Sequence, residues 1–407
     1  MMSWHKRFGV AVAAVGFLAL PACEMSMSRK CNEKPQEQLA ERDTKTAPAH
    51  GQRGESVVFE GDTRHHGSNA AVVRVAGGPR VGSHGLFGQV GDGRTAMPIG
   101  ADGPDNLRQV TFTREGGDFD PAVDPNGQWL VYASTRHRET ADLFLKRVNG
   151  TTVTQLTNDP GNDVTPAFSP DGTRIAFSSD RSGSFDLYIM DVRGGQPVQV
   201  TSDSTHDIAP TFSPDGSKLV YSRYGSPSGQ WEMVVLDLDN PGTRRIIGTG
   251  LFPQWSPVDN RIVFQRPRQR GTRWFSVWMV ELNEEGEVST PTEIAASSNA
   301  AVITPRWSPE GDHIVFCTVI NPPADNDIRP AQADIWVVSA DGRGRARLTT
   351  GRFANLQPTW ASDGAIYFVS DRAGSETENI WAVRPDRALH LAGSGGRGDH
   401  SARVGTE

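Results

Sequence analysis

Three aspartates recur in one local setting. Asp118, Asp163 and Asp207 each stand three residues before a proline that opens the phrase P-x-[FW]-S-P-[DE]-G or a variant of it. The matching positions before the later prolines hold Gly250, Val302 and Asn355. If those positions converge, three carboxylates share one arc of a mouth and none lies on the other arc. Such an acidic rim suits a basic peptide segment or a hard cation such as Ca²⁺. The same residues can instead cap their own loops, since a short acceptor side chain takes nearby backbone N–H groups. The spacing leaves both readings open.

Other candidate chemistry is sparser. Arg136, Arg181, Arg223, Arg266 and Arg372 recur after an apolar run, twice within the tripeptide SDR at 179–181 and 370–372. Recurrence in unit after unit points to a structural ion pair rather than to a unique site. The histidines are scattered, with His65 and His66 near the N-terminus and His206 alone beside one of the aspartates, so no metal-ligand set emerges. No G-x-S-x-G nucleophile elbow occurs in the 407 residues, which argues against a serine peptidase of the α/β-hydrolase kind. The expectation is no catalytic residue, no resident metal and no cofactor beyond a cation at the rim. A net charge of −7, without a stripe of Lys and Arg, excludes nucleic acid as the partner.

The elements that must position these residues are periodic. The aligned prolines are Pro121, Pro166, Pro210, Pro253, Pro305 and Pro358, at intervals of 45, 44, 43, 52 and 53 residues. Each opens a first strand that carries Phe168, Phe212, Trp255, Trp307 or Trp360 in five of the six copies. Asp-Gly or its equivalent follows as a tight turn that needs positive φ, with Asp259 in place of the glycine in the fourth copy. Second strands read LVYA, IAFS, LVYS, IVFQ, IVFC and IYFV, apolar on both faces as in a sheet covered on both sides. In this setting Cys317 reads as a small core residue. Third strands run from DLFLK to NIWAV, and fourth strands read TQLT, VQVT, RRIIG, TEIA and ARLT. Four strands in about 45 residues, with 43 Gly and 27 Pro along the chain and no helical periodicity, predict an all-β fold of propeller blades.

Counting strands predicts how the ring closes. Six copies of the first three strands are followed by only five fourth strands, and the missing one stands at the front of the chain as RQVT, Arg108–Thr111. The reading is a six-bladed β-propeller of four-stranded antiparallel blades, closed by residues 107–112 completing the last blade. That arrangement removes an exposed sheet edge. Seven blades are the alternative, with residues 55–104 supplying a degenerate extra unit.

The pattern LTxxxxxDxxPxFSPDGxxIAFxSxRxGxxDLYxMDxxGG, nearly unbroken in the second copy, resembles the TolB-type propeller repeat over roughly residues 105–385. The resemblance implies a non-catalytic protein-interaction scaffold of the bacterial envelope, because TolB is periplasmic and binds partners of the Tol–Pal system. Related repeats also occur in oligogalacturonate-lyase-like enzymes, so the alternative is a propeller enzyme acting on glycans or peptides as a lyase or hydrolase. TolB carries an α/β domain before its propeller, whereas residues 55–104 here are short and Gly-rich. The likeness is thus to the repeat, and orthology to TolB does not follow.

The N-terminus agrees with export. Lys6 and Arg7 precede the apolar run GVAVAAVGFLAL, as in a signal peptide, and LPAC at Leu20–Cys23 resembles a bacterial lipobox. Acylation of Cys23 would place the protein on the periplasmic side of the envelope as a membrane-anchored lipoprotein. The expected organisation is a signal peptide over 1–22, a polar tether over 23–54, an unassigned Gly-rich segment over 55–104, the propeller over 105–385 and a flexible tail over 386–407. Its expected partner is an envelope protein or peptide at the channel mouth.

Overall fold

The computed structural model describes residues 107–225, 227–267, 274–320, 330, 332–373 and 377–385. The expected signal peptide over 1–22, Cys23, the expected tether over 23–54, the 55–104 segment and residues 386–407 lie outside the described residues. Among the described residues every regular element is a strand, and the 24 strands form six four-stranded sheets. Five sheets run in simple sequence order from an inner strand to an outer one. The sixth takes its outer strand from the front of the chain.

The closure predicted from the strand count is present. Leu107–Gln109 pairs antiparallel with Asn379–Val383, with Gln109 opposite Trp381. The pairing is shorter than the predicted 107–112, because the amides of Val110 and Thr111 both donate to the single carbonyl of Ile380 and the chain then departs. Across this seam Val110, Leu130 and Tyr132 pack in one cluster with Ala361, Tyr367 and Ile380. Blade one therefore lies directly on blade six, which overturns the seven-blade alternative.

The second strands form the core, as their two apolar faces require. Leu130, Val131, Tyr132 and Ala133 are all fully buried, and Ile314, Val315, Phe316 and Cys317 repeat this in blade five. The outer strands of the first two blades are the reverse: Val153–Gln155 and Val198–Gln199 are exposed throughout.

The aligned prolines have a structural cause. In every inner strand the ladder to the second strand shifts register around the proline, as between Phe119 and Ala122 or between Ile303 and Arg306. Such a bulge leaves a position outside the ladder, where a residue without an N–H forfeits no bond. The residue before each proline carries a positive φ: Asp120, Thr165, Ala209, Phe252, Thr304 and Gln357, all between 49° and 56°. A pre-proline residue ordinarily adopts an extended conformation, and a non-glycine residue pays of order 1–2 kcal/mol for this left-handed one. The fourth-copy turn differs from the sequence expectation. Asp259 does not adopt positive φ, and its carboxylate instead holds the amide and guanidinium of Arg261.

Candidate functional site

The bulges set up a belt around the channel. Each left-handed residue turns its N–H toward the preceding blade, where an acceptor waits. Ala209 donates to Ser178 Oγ at 3.1 Å, Phe252 to Ser222 Oγ at 3.0 Å and Thr304 to Gln265 Oε1 at 2.7 Å. Gln357 donates to the sulfur of Cys317. The corresponding second-strand residues of blades one and six are Ala133 and Val369, which accept nothing. There the left-handed residue itself takes over: Thr165 donates to Asp120 Oδ2 at 3.1 Å, and Asp120 donates to Gln357 Oε1 at 3.1 Å. All six seams are thus closed by the same backbone group.

Asp120 of blade one and Arg306 of blade five lie close enough for their charges to interact. Burial pushes the Asp120 carboxyl up to about 6, against the Thr165 amide, the Arg306 charge and the Gln357 amide. Burial also lowers the basicity of Arg306, which Asp120 opposes. Sequence reasoning missed this pair. The signal was present as the residues flanking the aligned prolines, Asp120 before Pro121 and Arg306 after Pro305.

The three aspartates singled out by spacing are brought to equivalent places, but those places are the first residues of inner strands rather than open loops. All three are fully buried. The bulge draws each strand start inward and sets the aspartate opposite a second-strand residue, and the identity of that residue decides its chemistry. Asp118 faces Ser134, whose hydroxyl donates at 2.6 Å, while Arg136 Nη2 donates at 3.0 Å and Thr113 Oγ1 at 2.7 Å. Asp163 faces Ser179 and receives Arg181 Nη2 on both oxygens at 2.8 and 2.9 Å. Burial raises the Asp163 carboxyl while Ser179, Thr157 and Arg181 pull it back.

Asp207 is different. It faces Arg223 instead of a serine, and the residue in the place of Arg136 and Arg181 is Gly225. Arg223 turns to Asp203 at 3.8 Å, which Arg244 also engages. No arginine holds the Asp207 carboxylate as Arg136 and Arg181 hold its counterparts, and the Thr201 hydroxyl is its polar neighbour; the nearby Tyr221 hydroxyl has no hydrogen-bond partner among the described residues. Burial pushes the Asp207 carboxyl up to about 7, with the Thr201 hydroxyl opposing and Asp203 adding to the rise.

The repeated arginines are likewise corrected. Arg136, Arg181 and Arg372 lie two residues beyond Ser134, Ser179 and Ser370, but Arg223 and Arg266 stand at the serine position itself. Arg266 stacks on Trp278, 3.7 Å from the ring centre. In blades one and two the recurrence marks a shared structural ion pair, Arg136 with Asp118 and Arg181 with Asp163.

The description TolB beta propeller domain matches residues 105–289. Over these residues the ring resembles the TolB-type β-propeller. A stretch of 78 residues is 36% identical to a protein TolB homolog of Chlorobium luteolum, covering 19% of this chain and 17% of that one. A stretch of 100 residues is 28% identical to dipeptidyl-peptidase 5 of Porphyromonas gingivalis, covering 23% of this chain and 15% of that one. Both matches span less than a fifth of the relative's length. The crystal structure of TolB from Acinetobacter baumannii superposes with a TM-score of 0.51 at 22% identity, over 60% of this chain and 57% of that one. That likeness is one of fold. The propeller therefore presents two aspartates closed by their own arginines and a third that is not.

Proposed function

We propose that the protein is a non-catalytic scaffold of the bacterial envelope that receives a basic segment of a protein or peptide partner at the channel mouth. The TolB-type repeat and the signal-like N-terminus with LPAC at Leu20–Cys23 support an exported, periplasmic setting, with Cys23 as the lipid anchor. The observation that carries the reading is the contrast between Asp207 and its two counterparts. Asp118 and Asp163 are neutralised by Arg136 and Arg181. Asp207, fully buried at the end of the 201–206 loop, has no such arginine. A guanidinium or ammonium delivered by a partner would supply in blade three what blades one and two hold internally. It would also satisfy the Tyr221 hydroxyl, as Arg136 satisfies Tyr132 at 2.7 Å. Hydrogen bonds to a charged group contribute about 1.5–3 kcal/mol.

The test is quantitative capture from detergent-solubilised envelope, comparing the wild-type chain with Asp207→Asn and with Asp118→Asn as a control. The reading expects one specific protein whose recovery drops at least tenfold with Asp207→Asn and stays unchanged with Asp118→Asn. Equal recovery by Asp207→Asn and wild type would remove it, as would the absence of any specific captured protein.

A further inference from the structure

The chain leaving the closing strand forms a second feature, far in sequence from the third blade. Residues 110–115 run along blade one and bound a cleft of about 460 Å³, whose other wall includes Tyr132, Lys146 and Thr151. That volume lies in the range of small-molecule sites.

Lys146 is the unusual member. It comes from the third strand Asp142–Arg147, is only 5% exposed, and donates from Nζ to the Val110 carbonyl at 2.7 Å. An ammonium carries three donors, and this is its one hydrogen bond among the described residues. Burial lowers its basicity first, and the charges of Arg108 and Arg136 add to the effect. Asp118 acts in the opposite sense but already accepts from Arg136, Ser134 and Thr113. Arg114 and Glu115 at the rim offset one another. The buried wall thus carries positive charge without a dedicated counter-ion. Beside it the Phe112 ring is 71% exposed, in a protein whose other aromatic side chains mostly pack inward. A large exposed apolar ring next to a convergent polar group is the composition of a ligand site rather than of ordinary surface.

We propose that this cleft binds an organic anion, a carboxylate or phosphate on an apolar body, with its oxyanion on Lys146 and its apolar part against Phe112. The site is separate from Asp207 and does not depend on the partner reading. Because Val110 belongs to both the cleft and the closing seam, an occupied cleft holds the ends of the ring together.

Benzoate and phenyl phosphate are the probes, with benzyl alcohol as a neutral control of similar shape. Each is titrated calorimetrically into the full chain and into Lys146→Met, whose folding is checked by its urea transition. The expected result is saturable binding of at least one anion, weakened at least tenfold in Lys146→Met, and no binding of benzyl alcohol. Which anion binds more tightly identifies the headgroup. Absence of saturable binding by both anions, equal binding by Lys146→Met, or equal binding of benzyl alcohol overturns the proposal. If Lys146→Met does not fold, the ¹³Cε resonance of Lys146 in the wild-type chain decides. Its displacement by a saturating anion supports the site, and an unmoved resonance refutes it.

Discussion

Removing the closing strand should cost the ring most of its stability. A chain lacking residues 107–112 loses Val110, which is 2% exposed in the seam between blades six and one. Burial of a valine contributes about 1.5–3 kcal/mol. It also loses the two amides on the Ile380 carbonyl, at 2.8 and 3.3 Å, and each such bond contributes about 0.5–1.5 kcal/mol net. The Ile380 carbonyl and the Lys146 ammonium then lose partners, at about 1–3 kcal/mol for each stranded buried group. The combined loss of about 4.5–12 kcal/mol rivals the whole stability of a typical domain, about 5–15 kcal/mol. Urea unfolding followed by tryptophan fluorescence reads this directly, because Trp381 lies opposite Gln109 in the lost pairing. A milder variant grades the effect: Val110→Ala should cost about 2 kcal/mol. In a domain of this size that lowers Tm by several degrees. A truncated chain that unfolds within about 1 kcal/mol of the full-length protein would refute the closure argument.

Two further perturbations address the ring. Asp207 has a folded pKa raised from 3.8 to about 7, so between those values the folded state holds a proton that the unfolded chain has released. Its contribution is therefore intact below pH 4 and is lost as pH rises through 7, a penalty of about 4 kcal/mol by pH 8. Asp207→Asn should match wild type in urea stability at pH 4 and exceed it at pH 8; equal stability at both would show that the carboxylate is compensated. Asp120→Ala should destabilise by about 2–3 kcal/mol, because the Thr165 amide loses its acceptor at 3.1 Å. Adding Ala133→Ser restores a hydroxyl where blade two has Ser178 and should recover about 1 kcal/mol in a double-mutant cycle; no recovery would count against the belt.

Much of the fold was legible because its signals are local. The second strands announce themselves by apolar runs, the turns by Asp-Gly, and the missing fourth strand by a count that needed no coordinates. The chemistry of the site was less legible because it depends on which residue lies across a strand pair. Spacing placed Asp118, Asp163 and Asp207 in equivalent positions, but only the ladder shows Ser134 and Ser179 opposite two of them and Arg223 opposite the third. The arginines were misaligned for the same reason. The blade-three second strand, Lys218–Gly225, runs further than that of blade one and exchanges arginine for serine at the paired position. Asp120 escaped notice because a residue before proline reads as extended backbone.

The belt also carries an implication for how such a chain can drift. Each seam has two addresses for its acceptor, the second strand of a blade or the pre-proline side chain of that same blade. Blades three and four use the first, through Ser222 and Gln265, and so tolerate Ala209 and Phe252 at the second. Blades one and six have lost the first, with Ala133 and Val369, and hold Asp120 and Gln357 at the second. An apolar substitution at one address therefore leaves the seam amide an acceptor only while the other stays polar. Duplicated units under this rule wander in compensated pairs, which lets the six copies diverge in sequence while every joint keeps its bond.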